Sequence, residues 1–201
     1  MFIYLCTRFI KIFKITTDIM KTATENLEND HVYILQLIAV MEKMTRIDPP
    51  ETDHIEMVVD IIRNFADGIH HAKEENLLFR ELGNKGLSPQ QGPVAVMLHE
   101  HEEGRNLVRG IADNLKRYME GEKGALMLVY SSMLGYSGLL RNHIAKENNI
   151  LFRMADRVLS SEEQESLLAK FEQVENPSGK GLKATDYVSM VLELAARYPA
   201  D

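Results

Sequence analysis

One stretch limits the folds open to this chain: RNHIAKENNILFRMA, from Arg141 to Ala155. His143 and Glu147 stand four residues apart, so on a helix the imidazole and the carboxylate lie on one face. Stepping outwards by fours and threes gives Val129, Met133, Tyr136, Leu140, His143, Glu147, Ile150 and Met154, an apolar seam with two polar members. Burying a carboxylate and an imidazole together is costly unless something compensates them, and a metal ion does so.

The same reading extends to the rest of the chain. A helix over Glu25 to Met44 carries Leu27, His31, Ile34, Ile38 and Met41 in one seam, and Asp48, Pro49 and Pro50 end it. A second helix, Asp53 to Leu82 with Asp53 as its cap, presents Ile55, Val58, Val59, Ile62, Phe65, Ala66 and Ile69 and ends in IHHAKEENLLFREL. At about 100° per residue, His70 and Glu74 share the inward side, whereas His71 and Glu75 point towards solvent. After a turn-rich loop, a third helix opened by Pro93 places Val94, Leu98, His101, Arg105, Val108, Ala112 and Leu115 in its seam. Its Gly104 and Gly110 suit close packing against a neighbour. The fourth helix, Ala125 to Val158, holds the opening stretch. Ser161 with Gln164 reads as a capping box for a fifth helix to Val174. A linker from Asn176 to Gly181 leads to a short terminal helix, Tyr187 to Arg197. No segment alternates at period two for long enough to make a sheet.

The fold class expected is therefore all-α: an antiparallel up-down-up-down four-helix bundle with short C-terminal helices. By domain, residues 1–23 are an N-terminal extension, 24–175 the bundle with its following helix, and 176–201 a linker and short helix. The first twenty residues are apolar but broken by Arg8, Lys11 and Lys14, too short a run to span a bilayer. They read equally as an amphipathic appendage or as residues ahead of the natural start, since Met20 opens a more typical beginning. A net charge of -7 argues against nucleic acid or an anionic membrane as a partner, and the single cysteine, Cys6, suits a reducing cytoplasm.

In a bundle the seams meet on one axis, bringing together His31, His70, Glu74, His101, His143 and Glu147. Two carboxylates can bridge two cations while imidazoles fill the outer positions. A lone helical histidine is more often a hydrogen-bonded core residue, and an i, i+4 His/Glu pair more often a surface interaction. Two inward pairs together with two seam histidines require four coincidences of register if no metal is involved. His71, next to a ligand, is a candidate additional ligand or outer partner of one, although its direction favours solvent. Arg105 either bonds a bridging carboxylate or extends to solvent. His54 and His99 are expected on the surface, and Tyr136 is expected to fill the core.

HHAKEENLLF, MLHEHEEGR and NHIAKENNILFRMAD resemble the motifs of the hemerythrin-like, HHE cation-binding family, over about Thr24 to Val174. The resemblance implies an antiparallel four-helix bundle with an oxo- or hydroxo-bridged centre of two iron ions. It implies His31, His70, Glu74, His101, His143 and Glu147 as ligands, with both glutamates bridging. Oxygen-carrying members place a further histidine where this chain has Met97, which implies fewer nitrogen ligands and makes reversible oxygen carriage less secure. The functional expectation is a protein that binds, senses or reacts with O2, NO or peroxide. The alternatives are a metal-stabilised regulatory module whose last segment, Asn176 to Asp201, contacts a partner, or an iron-centre repair or iron-donor protein. Turnover would need a separate redox partner protein, because no flavin, nicotinamide or cysteine-cluster motif is present. Catalysis and oligomeric state stay open.

Overall fold

The computed structural model describes residues 22–179 and 181–199; the expectations for the first twenty residues, Cys6 included, lie outside it. Helix α1 (Ala23–Met44) starts at Thr22, whose hydroxyl accepts from the Glu25 amide while the Glu25 carboxylate accepts from the Thr22 amide, a reciprocal cap. Its seam of Leu27, His31, Ile34, Ile38 and Met41 is buried throughout.

Helix α2 runs continuously through Thr52–Ile61, Ile62–His71, Glu74–Leu78 and Phe79–Asn84, and the second and third of these segments are π-helical. Glu51 stands at its N-cap without a side-chain bond, so Asp53 does not cap it. Helix α3 (Gly92–Met119) carries Pro93 in its first turn. Helix α4 joins Ala125–Lys146 to Phe152–Val158 through a π-helical turn, Glu147–Leu151. Helix α5 (Ser161–Glu175) is capped by Ser160 with Glu163, one residue earlier than the sequence suggests. Gln164 instead accepts from the Ala23 amide at 2.8 Å, tying α5 to the start of α1. Helix α6 (Ala184–Arg197) completes the described chain, which contains no strand among its described residues.

The π turns displace the seam. A π turn takes one more residue than an α turn, so beyond Glu147 each inward position falls one residue later. Ile150 is 51 % exposed, and Leu151, Phe152 and Ala155 are buried in place of Ile150 and Met154. On α3 the inward stripe is Val94, Met97, His101, Gly104, Val108, Ile111 and Leu115, so Met97, Gly104 and Ile111 replace Leu98, Arg105 and Ala112.

Cross-helix pairs give the directions. Asn26 meets Lys73 and Asp30 meets His70; Asp67 meets Arg105 and Glu75 meets His101. Gly104 faces Tyr136 and Gly110 faces Ser132, while Glu42 meets Arg141 and Thr24 meets Asp156. In every pair the number rises on one helix as it falls on the other. Glycines let α3 and α4 approach closely: a Cβ on Gly110 would stand 3.0 Å from the Ser132 hydroxyl, and one on Gly135 3.2 Å from a Leu107 methyl.

Two apolar clusters make the core. One contains Ile38, Val58, Phe65, Ile111 and Met133, and α6 adds Tyr187, Val191, Leu194 and Tyr198 to it. The other contains Leu27, Leu78, Met97, Leu151 and Phe152, with Leu167 and Phe171 from α5. The apolar face of α6 thus packs within the chain. Among the described residues, no helix is long and apolar enough to cross a membrane. Between the two clusters lies a buried polar layer.

Candidate metal centre

Four helices supply that layer. His31 comes from α1, His70, His71 and Glu74 from α2, His101 from α3, and His143 and Glu147 from α4, and all seven are buried. Both glutamates begin π turns, a local widening that recurs at functional sites. The six residues selected from the sequence are brought together, and His71 joins them. Its expected outward direction assumed 100° per residue. Over the π-helical Ile62–His71 each residue turns less, so consecutive histidines both face inwards.

The ligating atoms form two groups. In one, atoms of His31, His70, Glu74 and Glu147 all lie within 4.8 Å of one another; in the other, so do atoms of His71, Glu74, His101 and His143. Glu74 belongs to both groups, and Glu147, a member of the first, also reaches a residue of the second. Glu74 sets Oε1 3.7 Å from His70 Nε2 and Oε2 3.4 Å from His101 Nε2. Glu147 sets Oε2 3.2 Å from His31 Nε2 and Oε1 3.2 Å from His143 Nε2.

Hydrogen bonds on the outer side of the rings determine which nitrogen is free. His31 Nδ1 donates to Asn148 Oδ1 at 2.7 Å, His70 Nδ1 to Asp30 at 3.2 Å and His71 Nδ1 to Asp67 at 3.1 Å. His101 Nδ1 donates to Glu75 at 2.7 Å and His143 Nδ1 to Glu100 at 3.0 Å. Carboxylate and amide oxygens only accept, so every Nδ1 carries a proton, and in the neutral ring Nε2 presents its lone pair to the centre. Those lone pairs meet each other: His31 and His70 Nε2 are 3.1 Å apart, and His101 and His143 Nε2 are 3.2 Å apart. His71 Nε2 and all four carboxylate oxygens of Glu74 and Glu147 have no hydrogen-bond partner. Buried acceptors without donors are strongly destabilising unless a cation sits among them, so the donor set fits divalent metal.

The electrostatics agree. Burial, then repulsion from Glu147, pushes the Glu74 carboxyl well above the usual range. Burial also raises Glu147, but the neighbouring His143 and His31 outweigh it and hold that carboxyl low. One of the pair therefore keeps a proton until a cation replaces it. Burial drives His70 down to about 4 and His71 well below the ordinary imidazole value, leaving both neutral as ligation requires.

Sequence reasoning missed the outer partners, although a signal was present. Asp30, Glu75, Glu100 and Asn148 each adjoin an inner residue in sequence, and each holds an imidazole on a neighbouring helix. Arg105 bonds Asp67 at 2.7 Å and Glu75 at 2.7 Å, not a bridging carboxylate. His54 is half-buried with its Nδ1 2.6 Å from the Tyr198 hydroxyl, and His99 is exposed as expected. Tyr136 is buried in the core. Met97 occupies the position where the sequence suggests a lost nitrogen, but His71, stacked on His101 at 3.7 Å, brings the inner imidazoles to five.

The profile described as the hemerythrin HHE cation binding domain matches residues 22–155. The chain belongs to that family. Among curated members it is 27 % identical over 126 residues to "Iron-sulfur cluster repair protein YtfE" of Pectobacterium carotovorum subsp. carotovorum (strain PC1), covering 61 % of this chain and 57 % of that protein. It is 33 % identical over 96 residues to "Iron-sulfur cluster repair protein DnrN" of Neisseria gonorrhoeae, covering 46 % and 59 %. The YtfE protein of Edwardsiella ictaluri (strain 93-146) is 28 % identical over 129 residues, covering 60 % and 56 %. The alignments thus span little more than half the length of these relatives. No solved structure matches the chain. The hemerythrin HHE match contains all seven inner residues and all five outer partners, and it ends before α5 and α6.

Proposed function

We propose that this chain is an antiparallel up-down-up-down four-helix bundle that holds two iron ions and uses them towards a small oxidant, nitric oxide, peroxide or O2, in the repair of iron centres. One observation carries the reading: five imidazoles and two carboxylates converge in a buried layer in which His71 Nε2 and all four carboxylate oxygens lack a hydrogen-bond partner. In this reading His31 and His70 hold one ion, His71, His101 and His143 hold the other, and Glu74 and Glu147 bridge them. Iron held by these residues would supply one-electron chemistry towards a small ligand.

The chain's own residues do the rest. Asn148, Asp30, Asp67, Glu75 and Glu100 fix each ring in one tautomer and one direction. The apolar layers above and below exclude water, which strengthens every charge interaction inside. The names of the relatives, iron-sulfur cluster repair proteins, favour a damaged iron centre as the ultimate beneficiary.

The test is to load the protein with iron anaerobically and mix it in turn with NO, peroxide and O2 while following absorption, then to incubate it with an NO-damaged iron-sulfur enzyme. A fast stoichiometric spectral change with at least one oxidant and recovery of the damaged enzyme are expected. Iron-loaded protein inert to all three and without effect on the damaged enzyme would overturn the proposal.

A further inference from the structure

Each carboxylate that orients an imidazole is itself held by a basic side chain. Arg105 holds Asp67 and Glu75, Lys146 holds Glu100, and Lys73 holds Asp30. The first two bases are about one-third exposed, whereas Lys73 is 0 % exposed. A buried ammonium is tolerated only when fully satisfied, and all three of its protons find acceptors: Asp30 Oδ2 at 2.6 Å, Asn26 Oδ1 at 2.7 Å and Glu175 Oε1 at 2.6 Å. The Phe171 ring lies 5.4 Å from the nitrogen. Glu175 Oε1 also accepts from Asn26 Nδ2 at 3.0 Å.

Glu175 is the last residue of α5 and Phe171 lies one turn before it, both beyond the residues matched by the family. A continuous chain of contacts therefore leads from α5 through Lys73 and Asp30 to His70 Nδ1. No comparable chain reaches His101 or His143, whose outer carboxylates are held from within α3 and α4.

We propose that Lys73 is a positioning residue that ties the orientation of His70, and hence the half of the centre made by His31 and His70, to the end of α5. The inference rests on the two-ion reading above. Removing the link frees Asp30 to turn away from His70 and slackens one ion while leaving the other.

The experiment titrates metal-free protein anaerobically with Co2+ as the probe, following visible ligand-field absorption and binding heat. Wild type, Glu175→Gln and Lys73→Met are compared, with far-UV circular dichroism reporting helix content. Wild-type protein is expected to take two ions per chain. Loss of an outer partner of a ligating histidine commonly weakens metal 10- to 100-fold. Lys73→Met is therefore expected to weaken one of the two ions by at least about tenfold, with a changed spectrum for that ion alone. Glu175→Gln, which leaves the ligands and Asp30 in place, shifts the same ion in the same direction by less. Unchanged binding of both ions in Glu175→Gln, or equal loss of both in either folded variant, would overturn the link while leaving the two-ion centre standing. A wild-type protein that takes no cobalt would overturn both.

Discussion

Replacing Glu74 by Gln separates two tasks of one side chain. Its carboxyl, buried and facing Glu147, titrates well above the ordinary range. A group with a raised folded value stabilises the fold below its unfolded value and loses that contribution as pH rises through the folded value. Metal-free protein at neutral pH therefore bears a cost that Glu74→Gln removes. Urea unfolding of metal-free protein at pH 7 should show a gain of about 1–3 kcal/mol, while metal binding is lost; a variant less stable than wild type would contradict this. His70 has the opposite sign. Folded, it resists protonation until about 4 because it is buried, against 6.5 for a free imidazole, so stability falls as pH drops through that window. His71 and His101 are lowered by burial in the same sense, and His143 alone is raised. In the Glu74→Gln background, where the opposing carboxyl is absent, metal-free protein should lose roughly 3 kcal/mol from His70 alone between pH 7 and pH 4, read from urea midpoints. Stability that is flat across that range would show that His70 is not buried neutral.

Among the elements, the π turns do most to set the register. Deleting the exposed Asn149 from Glu147–Leu151 would remove the extra residue, return α4 to α-helical winding and keep Leu151, Phe152 and Ala155 on the seam one position earlier. The loss by chemical denaturation of metal-free protein should therefore stay below that of one large core truncation, about 3 kcal/mol; a larger loss would show that Leu151, Phe152 and Ala155 had left the seam. At the start of α5, Ser160→Ala removes a reciprocal cap and should cost about 1 kcal/mol. These features also mark the limit of what could be read from the sequence. Four-three spacing placed helices α1 to α4, their apolar faces and six of the seven inner residues, because periodicity is local and burial enforces it. It misplaced Ile150, Met154 and His71 because spacing alone does not reveal a π turn. It also missed Asp30 and Lys73, whose pairing joins residues 43 positions apart on different helices. The cap of α5 was displaced by one residue because Ser160 and Ser161 both offer a hydroxyl, and only Ser160 has Glu163 three residues on.

At the scale of the molecule, a polar layer sits between two apolar clusters, and helices beyond the family match close both clusters. Helix α5 seals the layer near Leu27 and Phe152 with Leu167 and Phe171, and α6 seals the other with Tyr187, Val191 and Leu194. Leu194→Ala should therefore destabilise by about 2–5 kcal/mol in thermal or urea unfolding despite lying outside residues 22–155. A change below about 0.5 kcal/mol, typical of surface substitutions, would show that α6 is not part of the core. Without a cation, this architecture buries two facing carboxylates whose four oxygens, with His71 Nε2, lack any hydrogen-bond partner, so the polar layer depends on metal. Native mass spectrometry of protein loaded anaerobically with Fe2+ tests that dependence most directly. Two iron ions per chain are predicted, falling to one or none in Glu147→Ala; a wild-type chain that carries no iron, or a single ion unaffected by Glu147→Ala, would contradict it.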